Sequence, residues 1–159
     1  MRWPSFPRSQ EVETLVIALK DRPFDPYREL MAFQASLGEK AARYGAQSIF
    51  IGTMRDFNEG DPVKRLWLEH YPGMTERELA RIVSEAQAGW AVEETLVMHR
   101  VGDIQPADTI VLLACWSAHR GAALEATRFL IEELKHRAPF WKKETLDTGF
   151  RWVERNTPA

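Results

Sequence analysis

A chain of 159 residues, 45% apolar and 28% charged, has the size and composition expected of one folded domain rather than two, and argues against long disordered or collagen-like segments. With 21 Lys+Arg against 23 Asp+Glu the net charge is -2, so no global basic field favours nucleic acid or anionic lipid, and any anion site must come from local clustering. The single cysteine, Cys115, excludes an internal disulfide and sits in the apolar run Ile110 to Trp116, where it reads as a buried small hydrophobe. No apolar run is long enough to span a membrane, and MRWPSFPRSQ lacks the apolar core of a signal peptide, so the expected location is cytoplasmic.

Residues 1–11, with two prolines and no apolar period, read as an N-terminal arm, and residues 12–159 as a single domain. Glu13 to Leu19 suits a strand. Asp25-Pro26 then supplies a helix N-cap and a proline at the first helical position, for a helix to about Ala42 whose apolar face is Tyr27, Leu30, Met31, Leu37 and Ala41. Gly45 breaks that pattern, and Ala46 to Met54 forms the next strand. Arg55 to Pro62 is dense in turn formers and reads as a loop leading to a returning strand, Val63 to His70. Thr75 and Glu78 have the Thr-x-x-Glu spacing of a capping box, ahead of a helix whose apolar face is Leu79, Ile82, Val83, Ala86 and Trp90. Glu94 to Val101 and Thr109 to Ser117 are strands joined by the turn-rich Gly102 to Asp108, and the second is apolar on both faces, which places it centrally in a sheet. A helix from about His119 to His136 stops before Pro139, and short strands at Trp141 to Glu144 and Phe150 to Val153 follow. This order of elements predicts an α+β fold with hairpins and about three helices rather than a strictly alternating parallel sheet.

Familiar site signatures are absent: there is no Gly-x-x-x-x-Gly-Lys-Ser/Thr, Gly-x-Gly-x-x-Gly, Cys-x-x-Cys or Gly-x-Ser-x-Gly. The four histidines, His70, His99, His119 and His136, form no i, i+4 ligand pair, so neither a metal nor another cofactor is expected. Cations instead gather at the ends of predicted elements: Arg55 closes a strand, His119-Arg120 opens a helix, Lys135 closes that helix, and Lys142-Lys143 follow it. Arg120 opposes the helix dipole unless it serves an anion or an acidic neighbour such as Glu125. The other cations have ordinary explanations as well. Lys135 favours a helix C-terminus through the dipole, Lys142 and Lys143 suit an exposed edge strand, and Arg55 has Asp56 and Glu59 as available partners.

The segments Leu68-Glu-His-Tyr-Pro-Gly-Met-Thr75, Met98-His-Arg-Val-Gly102, Ser117-Ala-His-Arg120, Leu134-Lys-His-Arg-Ala-Pro-Phe-Trp-Lys-Lys-Glu144 and Arg151-Trp-Val-Glu154 together resemble the molybdopterin synthase catalytic (large) subunit family. The resemblance covers roughly residues 44–156, and its Lys-x-Arg-Ala-Pro-Phe-Trp-Lys run is highly specific. It implies an α/β hammerhead-type fold with a mixed, largely antiparallel sheet. It also implies a homodimer of large subunits, with a small ubiquitin-like, MoaD-type sulfur-carrier subunit at each end to make a heterotetramer. The implied activity is that of a sulfurtransferase: the carrier's C-terminal Gly-Gly thiocarboxylate gives sulfur to cyclic pyranopterin monophosphate, and two transfers build the dithiolene of molybdopterin.

Carried onto this sequence, the resemblance makes Lys135 and Lys142 the catalytic lysines. It assigns Arg55, His119, Arg120 and Lys143 to binding the substrate or the carrier's tail, and places Thr53, Met54 and Glu144 among the substrate-binding positions as well. Methionine at position 54 stands where the family commonly has valine, a departure that leaves the arginine role intact. The alternative expectation is a non-catalytic module that grips a carrier's tail. A phosphate-ester enzyme is disfavoured because the sequence lacks an acidic metal-ligand cluster.

Overall fold

The computed structural model describes residues 17–154, so the expected arm and most of the first expected strand lie outside the described residues. Strand β1 is Ile17–Lys20 and helix α1 is Pro26–Ser36, followed by a 3-10 segment, Gly38–Arg43. Next come β2 (Ala46–Thr53), the two-residue strands β3 (Phe57–Asn58) and β4 (Asp61–Pro62), β5 (Arg65–His70) and helix α2 (Met74–Gly89). The chain continues through β6 (Val92–Arg100), β7 (Gly102–Ile104) and β8 (Thr109–Ser117) to helix α3 (Arg120–Arg137), β9 (Phe140–Leu146) and β10 (Gly149–Trp152).

The strands divide into two four-stranded sheets and the small β3–β4 hairpin. The first sheet has the order β1-β6-β8-β2, antiparallel except where β1 runs parallel to β6, and the second has the order β10-β9-β5-β7, antiparallel throughout. Strand β8 is interior to the first sheet, as its run of apolar residues on both faces predicts. One of its faces gives Val111, Leu113 and Cys115 to a cluster with Leu79, Ile82 and Ala86 of α2 and Ala126, Leu130 and Leu134 of α3. The other gives Leu112, Ala114 and Trp116 to a cluster with Leu37, Leu30 and Phe33 at α1. Cys115 is fully buried, and burial pushes its thiol pKa up. A third cluster, with Leu66, Leu68, Val101 and Ile104, lines the inner face of the second sheet.

Local chemistry sets the helix ends, with two departures from expectation. Asp25 caps α1 as expected, its carboxylate accepting from the Tyr27 N–H at 2.9 Å, and Pro26 occupies the first turn. The α-helix ends at Ser36 rather than near Ala42, because Gly38 takes a left-handed φ of +55° and the chain tightens into the 3-10 segment. The face also differs. Tyr27 and Met31 are exposed, while Leu30, Phe33 and Leu37 pack inward and Gln34 accepts the Trp116 indole N–H at 2.7 Å. At α2 the capping box sits two residues earlier than expected. The Glu76 carboxylate accepts the Gly73 N–H at 2.6 Å, whereas the Thr75 hydroxyl accepts the Tyr71 N–H and donates to the Pro139 carbonyl. Thr75 therefore ties the start of α2 to the end of α3, and Glu78 is left to pair with Arg137 at 2.8 Å.

Gly45 enters β2 so close to the preceding turn of α3 that an added Cβ would lie 2.4 Å from the Ala118 carbonyl oxygen. That oxygen belongs to the backbone and has little room to yield. Gly45→Ala is expected to cost about 1–3 kcal/mol, read as a lowered midpoint in urea with unchanged slope.

Candidate active site

The Phe140 to Glu144 part of the Lys-x-Arg-Ala-Pro-Phe-Trp-Lys region forms an interior strand. β9 pairs with β10 on one side and β5 on the other, so its lysines do not guard an exposed edge. Strand alternation then sends neighbouring side chains to opposite faces. Phe140, Lys142 and Glu144 face inward, while Trp141 and Lys143 face outward.

On the inward side, a cavity of about 240 Å³ opens between the end of β2, the end of α3 and β9. Thr53 and Arg55, Lys135 from the last turn of α3, and Lys142 all line it, over an apolar floor that includes Val111, Ile131 and Leu134. These four positions of the expected set therefore meet at one place. Burial pushes the Lys142 pKa down, and the charge of Lys135 pushes it the same way, opposed by Glu144. The cavity thus weakens the proton affinity of one of its own lysines. The guanidinium of Arg55 lies over the Phe57 ring, 4.8 Å from its centroid, rather than against Asp56 or Glu59; Glu59 faces Arg151 at 3.7 Å.

Met54 is buried beside this cavity, and the turn after β7 clamps its backbone in both directions. The Met54 N–H donates to the Asp108 carbonyl at 2.9 Å, and the Ala107 N–H donates to the Met54 carbonyl at 2.8 Å. Beneath the turn lies Arg100, 1% exposed, which donates to the Asp103 carbonyl and faces the Asp108 carboxylate at 3.6 Å. A buried guanidinium held by this turn fixes the chain that delivers Arg55. The turn carries strain of its own, since Ala107 has a φ of +72°.

Glu144 lines an adjoining recess with Met54, Arg55 and Lys142, but its carboxylate is already engaged. It accepts from Asn58 Nδ2 at 2.8 Å and from Arg151 at 2.7 Å, and Arg151 also donates to Asp61 at 2.9 Å. Through these bonds Glu144 and Arg151 hold the β3–β4 hairpin against the second sheet. Lys143 lies on the other face, its ammonium 4.5 Å from the Phe150 ring centroid, in a recess with Trp67 and Trp152.

His119 and Arg120 are exposed and lie at the far end of the chain's own framework. Ala46 of β2 pairs with Ser117 of β8, whereas Thr53 pairs with Thr109 at the other end. Fifteen helical residues also separate Arg120 from Lys135, about 22 Å of rise at 1.5 Å per residue. Within one chain these two side chains do not reach the lysine cavity. Among the described residues Arg120 forms no ion pair, with Glu125 or any other carboxylate.

One cavity residue carried no expected role. His99 of β6 is 4% exposed, with its ring stacked on Phe140 at 4.1 Å and its Nδ1 2.7 Å from the Arg100 carbonyl. The sequence marked it only as part of the Met98-His-Arg-Val-Gly102 run, without a role, and its alternation with Val97 on the strand face that packs on α3 is recognisable only once the sheet order is known.

A model of the MoaE protein family matches residues 19–137. Over 138 residues the chain is 46% identical to a molybdopterin synthase catalytic subunit of Ralstonia nicotianae, covering 87% of this chain and 76% of that one. The solved molybdopterin biosynthesis MoaE protein of Burkholderia ambifaria superposes with a TM-score of 0.74 at 40% identity, covering 90% of this chain and 92% of that one. The chain belongs to the MoaE family. A complex of subunits 1 and 2 of molybdopterin-converting factor from Helicobacter pylori shares the fold, with a TM-score of 0.74 at 22% identity and coverage of 89% of this chain and 92% of that one. The fold shared with the solved MoaE protein is mixed α and β, and among the described residues of this chain β1 and β6 form the one parallel strand pair.

Burial pushes the His99 pKa down to about 4 from an ordinary value of 6.5; the nearby Lys142 charge adds to the effect, and the bond to the Arg100 carbonyl opposes it. As pH falls from 6.5 toward 4 the unfolded chain protonates this histidine while the folded chain does not, so stability is lost across that window. The loss should approach about 3 kcal/mol. Unfolding free energies at pH 7 and pH 4.5 should therefore differ less in His99→Gln than in the wild type, by about 2 kcal/mol.

Proposed function

We propose that this MoaE-family chain is the catalytic large subunit of a molybdopterin synthase and works in the cytoplasm. In this reading it moves sulfur from the thiocarboxylated C-terminus of a small ubiquitin-like carrier onto cyclic pyranopterin monophosphate. The observation that carries the reading is the meeting of Arg55, Lys135 and Lys142 around one cavity with an apolar floor. Both reactants are anions, and holding a cyclic phosphate beside a thiocarboxylate requires fixed cations to offset their repulsion and desolvation. Arg55 suits the phosphate through its planar fork.

The chemistry needs a group that gives up and takes back protons, and burial, with the charge of Lys135, pushes the Lys142 pKa down, the direction that favours this role. The carrier's thiocarboxylate sulfur bonds to a carbon of the precursor as a C–O bond of that carbon breaks and its oxygen leaves, giving a thioester. Water then adds to the carrier's acyl carbon and the acyl C–S bond breaks, leaving a thiolate on the pterin and a carboxylate on the carrier. A second carrier repeats the transfer and completes the dithiolene. A homodimer of this chain with a carrier at each end, a heterotetramer, accommodates His119 and Arg120. Far from their own chain's cavity, they are available to reach that of a second copy.

The alternative is a module that grips a carrier's tail without chemistry, which would use the same cations. Conversion of cyclic pyranopterin monophosphate to molybdopterin with thiocarboxylated carrier separates the two readings. Lys135→Ala and Lys142→Ala are each expected to lower the rate by about a hundredfold or more while carrier binding persists; a wild-type chain that binds carrier yet converts nothing would favour the binding module.

A further inference from the structure

The charged lining of the lysine cavity donates hydrogen bonds and accepts none. Arginine has five N–H groups and no acceptor, and a protonated lysine likewise only donates. Beyond the Thr53 hydroxyl, the polar side chain left in the lining is His99. Its ring is fixed twice over, by the stack on Phe140 at 4.1 Å with 12° between the planes and by the 2.7 Å contact of Nδ1 with the Arg100 carbonyl. A carbonyl oxygen can only accept, so Nδ1 carries the proton and Nε2 of the neutral ring keeps its lone pair. Burial and the charge of Lys142 keep the ring neutral at physiological pH. The charged groups around it, Lys142 on β9, Lys135 on α3 and Arg55 after β2, are all cations.

We infer that His99 is a substrate-contacting specificity residue whose Nε2 accepts a ring N–H of the pterin precursor. The inference rests on the function proposed above and assigns that site its acceptor. The precursor is polarised in the same sense as the cavity: its phosphate requires donors, and its ring nitrogens offer N–H groups that Arg55 and a protonated lysine cannot receive, and that Lys142 could receive only while it has given up its proton. A ligand without such a donor leaves a buried lone pair unmatched, which is how a site built for a hydrogen bond rejects an analogue that lacks it. The Phe140 stack and the Arg100 carbonyl hold the acceptor in place before the substrate arrives, so its orientation is not paid for on binding.

The test compares wild type, His99→Phe and His99→Gln in the complete synthase, reading KM for the cyclic precursor, kcat, and Kd for thiocarboxylated carrier. Phenylalanine keeps a ring to stack on Phe140 and removes both nitrogens; glutamine returns an amide oxygen near the place of Nε2. The expected result is a KM raised about tenfold in His99→Phe, equivalent to about 1.4 kcal/mol, largely recovered in His99→Gln, with carrier affinity unchanged in both. A KM within twofold of wild type in His99→Phe, or equal losses in the two variants, would overturn the inference while leaving the sulfurtransferase reading in place. A second measurement needs no variant. A precursor analogue methylated at the ring nitrogen should bind the wild-type synthase about tenfold more weakly, and undiminished binding would also overturn the inference. Absence of any conversion by the wild type would overturn the function and this inference together.

Discussion

The structure depends on one strand having no exposed face. β8 is hydrogen-bonded to β6 on one side and β2 on the other, with α2 and α3 over one face and α1 over the other. Its central residues, Val111 to Trp116, are nearly inaccessible to water, and at about 25 cal/mol per Å² of apolar surface such burial is the main term that orders the strand's neighbours. Because β8 fixes β2 by register and α3 by connection, it also fixes where Arg55 and Lys135 can go: the two leave the framework at the same end, beside each other.

The lysine cavity lies where the two sheets approach, and neither sheet makes it alone. The first sheet, with α3, contributes Thr53, His99 and Lys135, and the second contributes Phe140 and Lys142 through β9. A cavity at such a junction excludes water from one side of each lysine, which is the physical origin of the depressed Lys142 pKa. The same junction explains the neutral histidine among cations. Burial disfavours the charged ring and the neighbouring Lys142 charge adds to that, so the ring remains uncharged.

Several of the most specific residues in the sequence pattern serve the scaffold. Arg137, in the middle of the Lys-x-Arg-Ala-Pro-Phe-Trp-Lys run, pairs with Glu78 at 2.8 Å, Glu85 at 2.6 Å and Glu133 at 3.2 Å, binding α3 to α2 just before the chain turns into β9. Glu144 and Arg151 pin the β3–β4 hairpin, and Arg100 with Asp108 holds the turn that clamps Met54. Each lies one or two contacts from a cavity residue. A sequence pattern records the requirement for a residue without distinguishing contact with substrate from the placing of a group that makes it.

The sequence by itself determined the elements whose cause is local. The Asp25-Pro26 helix start, the stop before Pro139, the apolar face of α2 and the central position of β8 all follow from capping chemistry, proline geometry and periodicity within a few residues. The motif runs also marked Lys135 and Lys142, and the wider resemblance marked Arg55, before any geometry was available. Tertiary structure decided what depends on distance through space. It divided the strands into two sheets, turned Lys142 inward and Lys143 outward, moved the cap of α2 to Gly73 and Glu76, separated His119 and Arg120 from their own chain's cavity, and brought His99 into it. Local spacing cannot encode these outcomes, because strand order and helix packing set which faces meet, and the energy that selects them comes from burial shared among residues distant in the chain.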